Sequence, residues 1–197
     1  MKKFVFLSLV LVLVSTNSYA AIGLPDNTAR VGFSLGAARL YVSDPLGDTI
    51  PVVAVQPLKV MYSEWLSGGY RAWVESYYQE ASMAADESHI GQYFQQGGMH
   101  FSIQRNFKIV EFFKPWIGLG VDLSLGRYTQ RHTKDDEGYL LERYADRLQP
   151  TVGSLFYLVN EWQISKEWNM GGSVLQRLSF NKAVTETSFS LFFLTRF

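Results

Sequence analysis

The sequence predicts an all-β protein: eight antiparallel strands closed into an up-and-down transmembrane β-barrel. Three observations carry this prediction. Apolar and polar side chains alternate over many segments, short and long connections alternate along the chain, and most tryptophans lie beside the short connections. A period of two is typical of strands with two unlike faces. The helical period is hard to find after residue 20.

The segment 115–126 shows this alternation most clearly. Its aliphatic positions are separated by glycine, aspartate and serine, and they are Ile117, Leu119, Val121, Leu123 and Leu125. A lipid-facing strand has such an aliphatic face, but so does a strand of a soluble sandwich, whose aliphatic face points to the core. This strand alone therefore leaves both alternatives open.

Eight segments have strand character, and their connections favour the barrel. The links around residues 64–69, 105–114 and 163–167 are short or apolar, whereas the links between them are longer or more charged. Outer-membrane barrels combine short periplasmic turns with longer outer loops in this way. The predicted strands are 29–42, 52–64, 69–80, 91–105, 115–129, 140–162, 167–180 and 186–197.

The first twenty residues form a predicted export signal. Lys2 and Lys3 precede an apolar run from Phe4 to Val14, and small residues at Ser18 and Ala20 favour cleavage after Ala20. The run is shorter than the roughly 18 to 20 residues of a membrane-spanning helix. We therefore expect a signal peptide at 1–20, a barrel domain at 21–197, and export through the periplasm to the bacterial outer membrane.

The amino-acid composition excludes several classes of partner and of covalent modification. The whole chain has 18 basic and 18 acidic residues, and the signal contains two of the basic ones, so the mature chain has 16 against 18 and a formal charge of −2. This near balance argues against nucleic acid as a partner. The chain has no cysteine, which excludes disulfides and a lipoprotein anchor. We expect no cofactor, no metal site and a monomer.

Four tryptophans predict a periplasmic aromatic belt. Each flanks a short connection, and together they are Trp65, Trp116, Trp162 and Trp168. Aromatic rings concentrate at membrane interfaces because they combine an apolar body with a polarisable or hydrogen-bonding edge. The four residues therefore indicate the periplasmic end of the barrel.

Membrane physics independently requires a closed sheet. Hydrocarbon offers no water to unpaired backbone groups, so a membrane sheet has no open edge. Strands of about 10 residues cross the roughly 25 Å apolar band at a tilt of around 40°. Pro57 cannot donate a ladder hydrogen bond, so we expect a bulge there or a membrane segment that begins at Leu58.

The segments "GMHFSIQRNF" and "KPWIGLGVDLSLG", with the last strand and its terminal Phe197, carry a family resemblance. The chain resembles the small eight-stranded outer-membrane barrels of the OmpA transmembrane-domain and OmpX-like superfamily. The resemblance implies that the last strand is an insertion signal, read by the barrel-assembly machinery. The residues concerned are Phe189, Leu191, Phe193 and Phe197. Thr195 departs from the family pattern, in which an aromatic or aliphatic residue is usual.

Strand parity predicts a polar network inside the barrel. Eight strands leave an interior that side chains just fill. Inward charges of opposite sign are expected to pair there as a plug, and a narrow gated pore is the alternative. The predicted network consists of Lys59, Arg71, Glu75, His100, Gln104 and Asp122.

An enzyme is a third alternative, because small barrels include lipid A deacylases and palmitoyltransferases. His100 and Ser102 have a His-x-Ser spacing, but parity turns both inward, and Ile103 stands where the deacylase pattern has asparagine. The histidines of the outer loops, His89 and His132, have carboxylate or hydroxyl acceptors nearby in sequence. We predict no catalytic residues and no enzymatic activity.

The third outer loop is the predicted binding region. Strand-compatible segments flank "KDDEG", which predicts a protruding hairpin with its turn near 136–138. Arginine and tyrosine carry much of the energy at interfaces, and arginine pairs with phosphates such as those of lipopolysaccharide. The candidates are Tyr128, Arg131, His132, Tyr139, Arg143 and Tyr144. The sequence thus predicts a non-enzymatic surface protein with structural, adhesion or environmental roles, contacting outer-membrane lipid and lipopolysaccharide, with a porin-like small-solute channel as the alternative.

Overall fold

The computed structural model describes residues 29–43, 49–107, 109, 113–181 and 184–196. The predicted signal peptide with its cleavage site after Ala20, and the terminal Phe197, lie outside the described residues. A 3₁₀ turn, Ser67–Gly69, joins two of the strands. The strands are β1 (Ala29–Ser43), β2 (Thr49–Trp65), β3 (Tyr70–Met83), β4 (Gly91–Asn106), β5 (Trp116–Lys134), β6 (Leu140–Arg143), β7 (Arg147–Gln163), β8 (Trp168–Ser179) and β9 (Val184–Arg196).

Eight of these strands close into an antiparallel ring. Each of the eight strands forms an antiparallel pair with the next one along the chain, and β5 pairs with β7 because β6 is not part of the ring. The last strand, β9, pairs with β1 and closes the ring. The predicted all-β barrel is therefore confirmed. Among the described residues, no helix is long and apolar enough to cross a membrane.

The predicted sixth strand, 140–162, is divided into β6 and β7. The four residues of β6 pair with the far end of β5, where His132 faces Arg143. β7 pairs with the rest of β5, from Tyr128 opposite Arg147 to Trp116 opposite Val159. The strand is interrupted between Arg143 and Arg147. The two parts have different places in the fold, because β6 belongs to a hairpin beyond the ring and β7 belongs to the ring itself.

A bulge near Pro57 confirms the expected irregularity in β2. Ser34 pairs with Lys59, but Gly36, two residues later, pairs with Gln56, three residues earlier. One extra residue on β2 therefore occurs at 57–58. The bulge changes the parity of the strand, so that Gln56 and Lys59 both face inward and are buried.

A second bulge lies near the outer end of β5. Gly91 pairs with His132, whereas Tyr93 pairs with Thr129, so β5 has an extra residue. Gln130 has a φ of 55° there. As at Pro57, the bulge reverses the parity of the strand. Beyond it the odd-numbered side chains face inward.

The two faces of the barrel differ in chemistry. Aliphatic and aromatic side chains cover the outer wall, and Val121 and Leu191 are 46% and 56% exposed to the surroundings of the chain. Charged and amide side chains fill much of the interior. This inversion of a soluble protein, with apolar groups outside and polar groups inside, is what a lipid environment requires.

Candidate functional site

Inward side chains fill the barrel in three layers. The first layer, nearest the short turns, centres on Glu161 of β7. Its carboxylate accepts hydrogen bonds from Arg30 Nη1 and Arg71 Nη1, each at 2.6 Å, and from the side-chain amide of Asn169. Arg71 Nε donates to Gln104 Oε1 at 2.9 Å. Side chains from five strands are therefore linked around one carboxylate.

Tryptophan rings hold the Arg71 guanidinium on two sides. Its Cζ lies 4.2 Å from the ring centre of Trp73 and 4.2 Å from that of Trp116. Trp65 meets Trp116 edge-on, with ring centres 4.7 Å apart. A desolvated cation over an aromatic face gains about 2 kcal/mol. The first layer thus closes the turn end of the barrel with packed rings and paired charges.

The predicted aromatic belt is wrong for two of its four tryptophans. Trp65 and Trp116 are buried inside the barrel, whereas Trp162 and Trp168 are 49% and 43% exposed on the outer wall. The cause is strand parity, because the first two share the parity of the inward residues on their own strands. Only Trp162 and Trp168 stand where an interface could meet them.

The middle layer begins at Glu75 of β3, which is buried. Its Oε2 lies 3.2 Å from His100 Nδ1, 3.6 Å from Lys59 Nζ and 2.9 Å from the donating hydroxyl of Tyr157. Its Oε1 accepts a hydrogen bond of 2.8 Å from Trp73 Nε1. Both carboxylate oxygens are thus satisfied without water.

Asp122 of β5 lies on the other side of the His100 ring. His100 Nε2 is 3.3 Å from Asp122 Oδ1, without hydrogen-bond geometry. Tyr77 donates to the same oxygen at 3.0 Å, and Ser124 donates to Oδ2 at 2.9 Å. The Tyr77 and His100 rings lie 4.3 Å apart, tilted by 32°. His100 is therefore held between two carboxylates and against an aromatic face.

Arg177 of β8 connects Asp122 to Glu186 of β9. Its Nη1 is 3.3 Å from Asp122 Oδ2, and its Nη2 is 3.0 Å from Glu186 Oε2. The Glu186 carboxylate also accepts from Gln56 at 2.8 Å and from Gln79 at 3.2 Å. Side chains of five strands meet in this part of the middle layer.

Acidic and basic side chains are interleaved across the middle layer. Both His100 nitrogens face carboxylate oxygens, those of Glu75 and Asp122. Lys59 contacts Glu75, and Arg177 contacts Asp122 and Glu186. Each of the three carboxylates of this layer therefore has a basic side chain beside it.

The third layer, nearest the long loops, is apolar. Its side chains are at most 6% exposed although they point into the barrel. Phe94 packs on Tyr128, with ring centres 5.0 Å apart. The layer consists of Ala38, Leu40, Val42, Ala54, Ala81, Met83, Phe94, Tyr128 and Val184. The apolar layer thus lies between the charged middle layer and the long loops.

The structure brings the six predicted network residues into two groups. Lys59, Glu75, His100 and Asp122 belong to the middle layer, and Arg71 and Gln104 belong to the first. The sequence prediction omitted the inward residues of the last strands. Period-two alternation continued along β8 and β9 places Arg177 and Glu186 inward, so the same signal could have found them.

The third outer loop is a hairpin, as predicted. β5 extends to Lys134 and β6 returns from Leu140, with a turn closed by hydrogen bonds from Asp135 N to Tyr139 O and from Gly138 N to Asp135 O, each 3.0 Å. Gly138 has a φ of 88°, a conformation in which a side chain is strained. The hairpin projects beyond the ring of eight strands.

Two of the six predicted loop candidates do not face solvent. Tyr128 is in the apolar layer, and Arg131 is 8% exposed, with Nη1 donating to Ala145 O at 2.9 Å. Tyr128 has inward parity, and the bulge at Gln130 turns Arg131 inward as well. Tyr139 and Arg143 are exposed, and His132 and Tyr144 are half-buried. The open surface of the hairpin is therefore its tip and β6.

The loop between β3 and β4 contains a compact polar turn. Asp86 Oδ1 accepts from the backbone NH groups of Ser88 and His89, at 2.8 and 2.7 Å, and Asp86 Oδ2 lies 2.8 Å from His89 Nδ1. The bond from the His89 side chain, with those from Ser88, lowers the pKa of Asp86 to about 2. Ser88 Oγ also approaches His89 Nδ1, at 3.1 Å. A catalytic triad places serine and aspartate on opposite ring nitrogens, so this arrangement differs from one.

The last strand presents its predicted insertion residues outward. Phe189, Leu191 and Phe193 are 56%, 56% and 37% exposed. Phe193 contacts Phe33 of β1 across the barrel closure, with ring centres 5.7 Å apart.

In the described part of the chain, no group of three or more His, Cys, Asp or Glu residues could hold a metal ion.

Comparisons with solved structures identify the fold. Neisserial surface protein A (NspA) matches with a TM-score of 0.57 at 13% identity, over 86% of this chain and 97% of that chain. The attachment invasion locus protein Ail of Yersinia pestis, in complex with the heparin analogue sucrose octasulfate, matches with a TM-score of 0.53 at 11% identity, over 88% and 100%. A major outer membrane protein of Thermus thermophilus matches with a TM-score of 0.50 at 8% identity, over 85% and 99%.

No protein-family model and no curated protein matches the sequence significantly. The similarity therefore lies in the backbone, and it shows the fold. The protein of Thermus thermophilus among these neighbours is a major outer membrane protein. The chain is an eight-stranded antiparallel β-barrel with the same fold as NspA and Ail.

Proposed function

We propose that this protein is a non-enzymatic, non-conducting outer-membrane barrel that acts at the cell surface through its outer loops, in structural, adhesion or environmental interactions. One observation carries the proposal. The interior is filled by two ion-paired layers and an apolar layer, so the parts open to a partner are the outer wall and the loops.

The packing of the interior argues against transport. Arg71, Glu75, Asp122, Arg177 and Glu186 are at most 1% exposed, and each has a partner of opposite charge or a buried amide. Separating such groups would leave uncompensated charge in a region of low dielectric constant. A solute would have to break this network and then pass the apolar layer.

The outer hairpin supports a role at the surface. Its tip combines Asp135, Asp136 and Glu137 with the exposed Tyr139, and its return strand carries the exposed Arg143. The mixture of acidic, aromatic and basic groups favours a protein partner over a uniformly charged polymer. Ail provides a useful negative probe, because its structure contains sucrose octasulfate, a dense polyanion that the acidic tip here should repel.

Conductance in planar bilayers tests the closed interior. We expect the refolded mature protein to insert without discrete conductance steps between about pH 5 and 8. Glu186→Gln removes one buried charge and is the variant in which we expect the interior to conduct. Thr185→Ala, on the outer wall, is its control. Stepwise ion currents from the parent protein would overturn the non-conducting proposal.

A small-solute channel is the second candidate, and a specific observation favours it. The side-chain oxygens of Ser34, Gln56 and Ser188 are buried without a hydrogen-bond partner among the described residues. Buried polar atoms of this kind usually bind water. Water bound at these oxygens, which belong to β1, β2 and β9, is the basis of this alternative, and the same bilayer experiment decides between the two.

A further inference from the structure

A groove on the outer wall of the barrel is open toward the membrane. It has a volume of about 210 Å³ and crosses β5, β7 and β8. This is several times the roughly 30 Å³ that one water occupies in the liquid, so the groove has room for a stretch of hydrocarbon. Its lining residues are Leu119, Gly120, Ser154, Leu155, Phe156, Gln176 and Leu178.

The groove exists because a small side chain stands among large ones. Ser154 points outward from β7, with Val121 paired on one side and Leu178 on the other. Phe156, the next outward residue on β7, closes one end. The floor is backbone, where Gly120 pairs with Leu155. The walls are apolar, which suits an acyl chain.

The groove also contains hydrogen-bond donors that the protein leaves unused. Gln176 Oε1 accepts a bond of 2.6 Å from Thr187 Oγ1, which orients the amide, but its Nε2 has no partner among the described residues. The Ser154 hydroxyl is likewise unpaired within the described part of the chain. An unpaired donor at a hydrocarbon boundary is costly, and an ester or amide carbonyl would satisfy it.

Arg39 lies in the same row of paired residues as Gln176, on the side of the groove nearer the loops. Gln176 pairs with Thr187, and Thr187 pairs with Arg39 of β1. Neighbouring strands are about 4.8 Å apart, so the Arg39 backbone lies roughly 10 Å from that of Gln176. The Arg39 guanidinium lies 5.1 Å from the ring centre of Tyr41 and has no carboxylate partner among the described residues. Arginine pairs strongly with phosphate.

We propose that this groove, together with Gln176 and Arg39, is a binding site for an acylated, phosphorylated glycolipid of the outer leaflet, namely lipid A. An acyl chain occupies the groove, a carbonyl near its head accepts from Gln176, and a phosphate pairs with Arg39. The outer leaflet is the source because Gln176 lies three residues before β8 ends at Ser179, on the long-loop side. The proposal does not depend on the interior of the barrel or on conductance.

Native mass spectrometry of the refolded mature protein tests the site. The probes are hexa-acylated bis-phosphorylated lipid A, the same lipid without phosphates, and phosphatidylglycerol. We expect lipid A to be retained in preference to the other two. Ser154→Leu should fill the groove, and Arg39→Gln should remove the phosphate partner, each weakening retention about tenfold.

Two matched controls make the experiment specific. Ser76→Leu places the same bulk on the outer wall at β3, and Arg127→Gln removes another exposed arginine from the outer end of β5. Both should retain lipid A like the parent. Heat-modifiable gel migration checks folding, and Arg39→Gln, a surface change, tests the site even if Ser154→Leu does not fold.

Three outcomes would overturn the proposal. Equal retention of lipid A by the parent, Ser154→Leu and Arg39→Gln would show that the groove and the arginine do not bind it. Equal retention of phosphatidylglycerol and lipid A by the parent would contradict the choice of glycolipid. A dimer that forms without lipid and disappears in Ser154→Leu would make the groove a contact between two copies of the chain.

Discussion

Arg177 and Glu186 face each other directly across the β8–β9 ladder and form an ion pair of 3.0 Å inside the barrel, where both side chains are completely buried. Removing one partner from such a pair leaves an uncompensated charge and costs about 3 to 5 kcal/mol. We expect Glu186→Gln to cost about 3 kcal/mol of unfolding free energy, the lower end, because Arg177 retains Asp122.

Urea unfolding in lipid vesicles measures this loss. The double variant Arg177→Gln with Glu186→Gln should cost less than the sum of the two single changes, since residues in one network couple. Thr185→Ala, an outward change on β9, is the control and should be nearly neutral. Strict additivity of the two single changes would show that the pair contributes no coupling energy.

The outer wall provides a second prediction. Val121 points outward near the middle of Trp116–Tyr128, the part of β5 that pairs with β7. Arginine at the bilayer midplane costs about 2 to 4 kcal/mol. Val121→Arg should therefore reduce stability in lipid by that amount. Ser124→Thr, on the inward face, keeps the hydroxyl that donates to Asp122 and should be mild. If Val121→Arg refolds in vesicles as stably as the parent, this wall does not face lipid.

Strand alternation predicted the barrel and its polar interior, because one rule acts on every strand and a closed sheet leaves only two faces. The same rule, applied to fewer strands, missed Arg177 and Glu186. The belt prediction failed at Trp65 and Trp116 because it used their position beside short turns and ignored their parity. Bulges limit the alternation rule further, because each bulge reverses which side chains of its strand face inward. The bulge at Gln130, a residue with a left-handed conformation, has no clear sequence signal.

The insertion residues provide a third prediction. Deleting Phe197 should reduce outer-membrane levels far more than deleting Asp136 from the hairpin turn, because the terminal aromatic residue is proposed to be read by the barrel-assembly machinery. The other three residues of the proposed signal, Phe189, Leu191 and Phe193, point outward. Immunoblots of outer-membrane fractions compare the two variants, and equal levels would contradict the proposed signal.

The loop at Asp86 gives a pH prediction. Its pKa is lowered from 3.8 to about 2, chiefly by the His89 side chain. A lowered carboxyl pKa means that the turn is favoured while Asp86 is ionised. Its stabilisation is therefore complete above about pH 4 and is lost as the pH falls through about 2.

An NMR titration of the Asp86 carboxyl carbon measures this value in the refolded protein. His89→Ala removes the largest cause, so the midpoint should rise toward 3.8, whereas His132→Ala in the neighbouring hairpin should leave it unchanged. A midpoint near 3.8 in the parent would show that the His89 contact does not persist in solution.

The last prediction concerns the hairpin as the binding region. The ring of eight strands does not include β6, and β5 pairs with β6 only from His132 onward. Replacing residues 130–146 with a short Gly-Ser turn should therefore leave the barrel folded and abolish binding to surface partners. Arg131 contacts Gln92 and Ala145 at the base, so a smaller replacement of 135–139 is the matched variant that keeps this contact. Heat-modifiable migration reports folding, and adhesion of cells displaying each variant reports binding. Unchanged adhesion with the larger replacement would assign binding to another loop, whereas loss of the folded band would show that the hairpin is structural.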